Sequence, residues 1–332
     1  MQVYDGFAAE ERSFIRGELV DPSTLHSLKN WYPITFCHQS NELYWRDMGQ
    51  QRFVESFFQN SLNTQPHDQR RVCRTPVSAL SQFTECVAPT AFIFHVSRCG
   101  STLLTQMFSH LAQCIVLSEP PVIDSFFRHY SENSPGSIHI FQQLIAALGQ
   151  QRAGEEKHFI VKFDSWHIGR LAFIRKAFPQ TPLFFLYRDP QQVLASHQRQ
   201  RGPQMIPGFV NLGNICADLT DLMPGDLDGY CLRVLDQFYT CAISHRQEHD
   251  LRLLNYHELP ALVWESLLSQ LNLSLTLQEL EQVKARSQYH SKHPQQNFLG
   301  DPQAHVKHAC SDKTEKLYLQ LEKLRLQANS AK

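Results

Sequence analysis

Seven consecutive residues, Ser97-Arg98-Cys99-Gly100-Ser101-Thr102-Leu103, bring together hydroxyls, a guanidinium, a glycine and a run of backbone N–H groups. Before them lies an apolar run, Phe92-Ile-Phe-His-Val96, rich in aromatic and β-branched residues. After them Leu103, Leu104, Met107, Phe108 and Leu111 recur at helical spacing. The pattern predicts strand, tight turn, helix. The first N–H groups of a helix have no intrahelical acceptor and sit at the positive end of the macrodipole, so such a start suits an anion, phosphate above all. Against the phosphate-binding template G-x-x-x-x-G-K-S/T, Gly100 and Thr102 match, His95 replaces the first glycine and Ser101 replaces the lysine. Arg98 is the cation of this loop, which points to a ligand other than a metal-bound nucleoside triphosphate.

Other residues able to act on the same anion stand at the ends of apolar runs. Lys162 closes the run from His158, where its ammonium either reaches the crevice of Arg98 or snorkels to solvent. Glu119 precedes Pro120-Pro121, which stiffen the chain and set the direction of the carboxylate; the plainer alternative is a solvated loop glutamate. The segment from Leu183 to Ser196 carries more. Asp189 suits an N-cap, Pro190 the first helical position and Gln192 the reciprocal capping position, so a helix starts directly after Arg188. Ser196 falls about two turns along it. Arg188 and Ser196 can together grip a second phosphate, with Arg199 and Arg201 in reserve. Two rival readings stay open: Asp189 as an ordinary cap beside exposed arginines, and a Walker-B-like strand whose Asp189 holds magnesium, a role with which Pro190 and the cap compete.

These residues need a scaffold that gathers strand ends. Short, nearly continuous apolar runs at 92–96, 114–117, 159–163, 183–187 and 251–256 alternate with helical stretches. That is the signature of an α/β fold of P-loop type, a parallel sheet of about five strands flanked by helices. Ligands of such sheets lie beyond the carboxyl ends of the strands. The Gly- and Pro-rich region 201–225 is too long for a plain connection and reads as a lid or binding loop. Residues 228–245 read as a helix, and 313–326 as a polar helix giving solvated cover.

Residues 1–88 read as a small α-rich N-terminal extension and 89–332 as the sheet domain. In the extension Trp31, Tyr32, Phe36, Tyr44 and Trp45 are spread over polar sequence, followed by a helix-like Phe53, Phe57, Phe58, Leu62. They serve either to cover the sheet domain or to bind an acceptor. The polar stretch 63–74 is the linker expected from composition.

With 31 basic and 32 acidic residues and a net charge of -1, the chain is not composed as a general binder of nucleic acid or of membrane surfaces. Nine cysteines, an odd number without CxxC pairs, argue against a disulfide framework. The start Met1-Gln-Val-Tyr-Asp-Gly has no basic and apolar leader pattern, and no apolar run reaches the roughly 18 residues of a membrane span. A cytoplasmic protein is expected. The 17 histidines show neither HExxH nor finger spacing, so no metal site is expected.

Four separated pieces resemble one family, the sulfotransferases that use 3′-phosphoadenosine 5′-phosphosulfate. Val96-Ser-Arg-Cys-Gly-Ser-Thr-Leu-Leu104 resembles the family's 5′-phosphosulfate loop, in the branch that carries Arg in place of Lys. Tyr187-Arg-Asp-Pro-x-x-Val-x-x-Ser196 resembles its 3′-phosphate motif. Lys162 is similar in placement to the family's sheet-end lysine, and Asn255-Tyr-His-Glu-Leu-Pro260 to its late strand-end motif. The resemblance covers about residues 90 to 275 and is nearest to the tyrosylprotein sulfotransferase type and to bacterial sulfotransferases.

The resemblance implies transfer of a sulfuryl group to a hydroxyl or amine of a small-molecule, glycan or peptide acceptor. In it Glu119 is the catalytic base, and Arg98 and Lys162 meet the charge growing on the bridging oxygen. Ser97, Arg98, Cys99, Gly100, Ser101, Thr102 and Leu103 hold one phosphate, Arg188 and Ser196 the other. No magnesium or other metal is implied. Departures are His257, where the late motif has an acid, and the missing secretory and membrane-anchoring features, which argue against protein tyrosine as acceptor. For the family's C-terminal nucleotide contacts the candidates are Ser287, Tyr289 and Lys292. Two rivals are a kinase of the same fold and a catalytically inactive module that binds phosphonucleotides.

Overall fold

Aromatic and β-branched residues early in the chain form strands rather than helices. In the computed structural model, which describes residues 9–37, 39–289 and 310–330, β1 (Glu18–Leu19), β2 (Trp31–Cys37), β3 (Glu42–Asp47) and β4 (Arg71–Pro76) build a four-stranded sheet in the order β1-β4-β3-β2. β3 pairs antiparallel with both neighbours, and β1 runs parallel to β4.

The α-rich character expected of residues 1–88 is thereby corrected. Trp31, Tyr32, Ile34 and Phe36 on β2 and Leu43, Tyr44 and Trp45 on β3 are all buried. Both faces of these strands are covered, so the alternation that marks a half-exposed strand never appears in the sequence. The helix expected near Phe57 exists, as Phe58–Thr64. The expected linker 63–74 does not: it holds a short turn at His67–Gln69 and the start of β4. Arg70 secures it, its carbonyl accepting from the Glu18 N–H at 2.8 Å and its Nε donating to the Gln65 carbonyl at 2.9 Å.

The second sheet is the expected one. β5 (Pro89–His95), β6 (Cys114–Ser118), β7 (His158–Lys162), β8 (Leu183–Tyr187) and β9 (Leu251–Asn255) run parallel in the order β6-β7-β5-β8-β9, with helices on the faces. β6 and β8 are buried along their whole length, as a parallel strand covered on both faces must be. β5 is central. The chain leaves it to one side for β6 and β7 and to the other for β8 and β9, so the turn after β5 lies where the connections diverge.

By compactness the chain falls into two units. The first holds the described residues up to Thr90 together with Phe108–Lys162 and Lys176–Pro179. Its core clusters Phe36, Phe126, Tyr130 and Phe141, with Phe36 edge-on to Phe126 and Tyr130, and Phe126 stacked on Tyr130. A buried polar seam runs beside it, in which the Thr35 hydroxyl donates to Glu11 at 2.7 Å and Arg128 pairs with the same carboxylate at 2.6 Å.

The second unit holds Ala91–Met107, Phe163–Arg175 and the described residues from Gln180 onward. Phe94 and Phe163 stack at 5.0 Å, and the long helix Leu227–Glu248 buries Val234, Leu235, Phe238 and Tyr239 fully. From Ile206 to the N-cap Asp226 the chain is irregular, in keeping with the expected loop. The C-terminal helix Asp312–Ser330 is more than solvated cover. Its Glu322 accepts from the hydroxyl of Tyr187 and, at 2.8 Å, from Asn255, while Arg325 pairs with Glu258 at 2.6 Å. The helix thus ties together the carboxyl ends of β8 and β9.

Candidate functional site

The turn after β5 takes the conformation an anion site requires. Ser97, Arg98 and Gly100 have φ of 67°, 51° and 80°, all left-handed, and the helix Ser101–Ser109 follows at once. Successive left-handed and turn residues direct neighbouring N–H groups to one side, which makes a concavity for negative charge. Only at Gly100 is this conformation free of side-chain strain. A second reason also demands glycine there, since a Cβ would stand 2.6 Å from Cδ2 of Tyr256. Two bonds hold the turn: the Ser97 N–H donates to Nδ1 of His95 at 2.9 Å, and the Cys99 thiol donates to the Leu186 carbonyl at 3.2 Å. His95, which replaces the template's first glycine, therefore works as an acceptor that braces the loop.

Arg98 is half-buried and donates to the Gln200 carbonyl at 2.6 Å. Burial, and then the like charge of Arg199, hold its guanidinium below its ordinary range.

Arg188 is joined directly to this loop. It directly follows β8 and is 7% exposed, and it donates from Nη1 to the Arg98 carbonyl at 3.3 Å and from Nε to Gln192 at 2.8 Å. Its guanidinium lies 4.0 Å from the ring centre of Tyr256, a cation–π contact. The predicted cap explains its aim. Asp189 accepts from the Gln192 N–H at 3.1 Å, Pro190 opens the helix Pro190–Arg199, and the Tyr239 hydroxyl donates to the Arg188 carbonyl at 2.7 Å. Ser196 is half-buried on that helix.

In the first unit Glu119 and Lys162 form an ion pair. β6 and β7 are in register at Ser118 and Lys162, so the next residue, Glu119, donates its N–H to the Lys162 carbonyl at 2.7 Å. The Lys162 ammonium then meets Glu119 Oε1 at 2.9 Å. Lys162 is fully buried, so its charge requires a partner. The snorkelling alternative is thus excluded for Lys162, and the free solvated carboxylate for Glu119. Glu119 also has a left-handed φ of 53°, a strain of about 1 kcal/mol of the kind found at functional positions.

Several participants were not foreseen. Phe57, from the N-terminal extension, places its ring 4.6 Å from the Lys162 ammonium. Tyr256, a member of the late strand-end motif, packs against Gly100 and under Arg188 at once. An Arg-then-aromatic pairing across separated strand ends leaves no local sequence signal. Near the C-terminal candidates the residue that reaches the loop's helix is Arg286, which donates to Gln106 at 3.0 Å. Ser287 donates instead to the Lys284 carbonyl at 2.6 Å, and Tyr289 is partly exposed. Lys292 lies outside the described residues.

By sequence, no protein-family model and no curated protein matches the chain. Two solved structures are similar in backbone. The sulfotransferase domain from the curacin biosynthetic pathway aligns at 14% identity and a TM-score of 0.47, covering 72% of this chain and 99% of that one. A sulfotransferase from Alicyclobacillus acidocaldarius aligns at 14% identity and a TM-score of 0.36, covering 60% of this chain and 91% of that one.

Proposed function

We propose that the chain is a sulfotransferase that moves a sulfuryl group from 3′-phosphoadenosine 5′-phosphosulfate to a hydroxyl or amine. The observation that carries this is the joining of two anion grips into one piece. Arg188 donates to the backbone of the left-handed loop at Arg98 and stacks on Tyr256, which itself fills the space beside Gly100. A donor with phosphate at both the 5′ and the 3′ position calls for two such grips. The N–H groups from Ser97 to Leu103 hold the 5′ end, and Arg188 with Ser196 holds the 3′ phosphate.

In the reaction the acceptor oxygen or nitrogen forms a bond to sulfur while the sulfur–oxygen bond to the donor phosphate breaks. Glu119 takes the acceptor's proton, and the bridging oxygen leaves with the electron pair, its charge met by Arg98 and Lys162. The acceptor is a small molecule, glycan or peptide.

Thermal unfolding with adenosine 3′,5′-bisphosphate tests the donor site. At about 100 times its dissociation constant a ligand adds roughly 2.7 kcal/mol to stability. The expected result is stabilisation of the parent chain that Arg188→Ala abolishes. Stabilisation by magnesium-ATP alone refutes the reading in favour of a kinase. With the donor site established, labelled phosphosulfate and Glu119→Gln separate an enzyme from an inactive module, since an enzyme loses transfer in that variant and keeps bisphosphate binding.

A further inference from the structure

We propose that His245, Glu248 and His249 bind a divalent transition-metal ion of the zinc class. The three lie at the carboxyl end of the helix Leu227–Glu248, with His249 as its C-cap. Spacings of three and four residues put side chains on one helical face. Each of the three can bring a ligand atom within 4.8 Å of those of the other two. Two imidazoles and a carboxylate form a donor set that zinc-class ions favour, with coordination positions left for water.

Three further observations point to a ligand here. The Nδ1 of His245 is buried and has no hydrogen-bond partner among the described residues, although buried polar atoms are nearly always satisfied.

The neighbouring pair is also not satisfied by itself. His249 Nε2 and Glu248 Oε2 are 3.7 Å apart, beyond hydrogen-bond distance, and the rings of His245 and His249 are 5.2 Å apart at a tilt of 36°. Finally, the negative end of the helix macrodipole favours a cation at this end. Arg175 holds the backbone of the site by donating to the His249 carbonyl from Nη2 at 2.8 Å. A bound ion would pin the end of this helix to the turn into β9.

The site is independent of the proposed reaction, and its test reads binding. The full chain is titrated with zinc chloride by calorimetry, with cobalt(II) absorption in parallel. Expected are saturable binding of one equivalent, a ligand-field cobalt spectrum and a metal-dependent rise in the unfolding temperature. Glu248 is exposed, so Glu248→Gln weakens binding without disturbing packing, and His249→Ala, at a half-buried position, is compared with the parent in metal-free unfolding; His249→Ala should weaken binding at least tenfold and erase the temperature rise. His26→Ala, at an exposed histidine elsewhere, should change neither. Absence of saturable binding overturns the proposal, and so does zinc binding that His245→Ala and His249→Ala together leave undiminished.

Discussion

Replacing Gly100 by alanine should unfold the anion loop's geometry from two directions at once. The residue has φ of 80°, where an L side chain costs about 1–2 kcal/mol. The new methyl would also meet Cδ2 of Tyr256 at 2.6 Å and Cδ1 of Leu259 at 3.2 Å. The tyrosine ring cannot yield freely, because Arg188 lies 4.0 Å from its centre. Overpacking of this kind adds about 1–3 kcal/mol, so the expected loss is about 2–5 kcal/mol, a large part of a domain's stability. Urea unfolding measures it as a lower midpoint at unchanged slope. In a double-mutant cycle with Tyr256→Ala the tightest clash is gone and the left-handed penalty remains with the milder 3.2 Å contact to Leu259, so the two substitutions should couple by more than about 1 kcal/mol. The same variant should lose affinity for adenosine 3′,5′-bisphosphate. A Gly100→Ala chain within about 0.5 kcal/mol of the parent, or additive behaviour in the cycle, would refute the account of why glycine stands there.

Lys162→Met keeps the buried volume and removes the charge, so transfer should fall about a hundredfold or more while bisphosphate affinity changes little; equal losses in both would contradict its assignment to the bridging oxygen. Burial acts to raise the Glu322 carboxyl, but hydrogen bonds from Arg325, Tyr187 and Asn255 overcome it and hold the group down at about 2, from 4.5. A depressed carboxyl contributes stability that is present above pH 4.5 and lost as pH falls toward 2. After solvent screening that is about 1–2 kcal/mol, and Glu322→Gln should flatten the stability curve across this window in acid unfolding. Tyr239→Phe strips the 2.7 Å bond from the Arg188 carbonyl in a fully buried setting, and denaturant unfolding should register about 1–2 kcal/mol.

Much of this protein follows from local rules. Five apolar runs bounded by polar residues became the parallel strands, because a strand covered on both faces needs a continuous apolar run wherever it lies in a sheet. The cap at Asp189-Pro190 and the turn at Gly100 were legible for the same reason, since each depends on neighbours within four residues. The four-stranded N-terminal sheet was not legible. Trp31, Tyr32 and Trp45 are compatible with a helix or a strand, and only the partners across β2, β3 and β4 decide between them. Nor could the sequence show that Lys162 would be buried against Glu119 and Phe57, or that Tyr256 would lie under Arg188. Residue types and short spacings set what each segment can do. Which charges and rings meet is decided by strand order and register, which are long-range pairings whose energy comes from burial rather than from any local pattern.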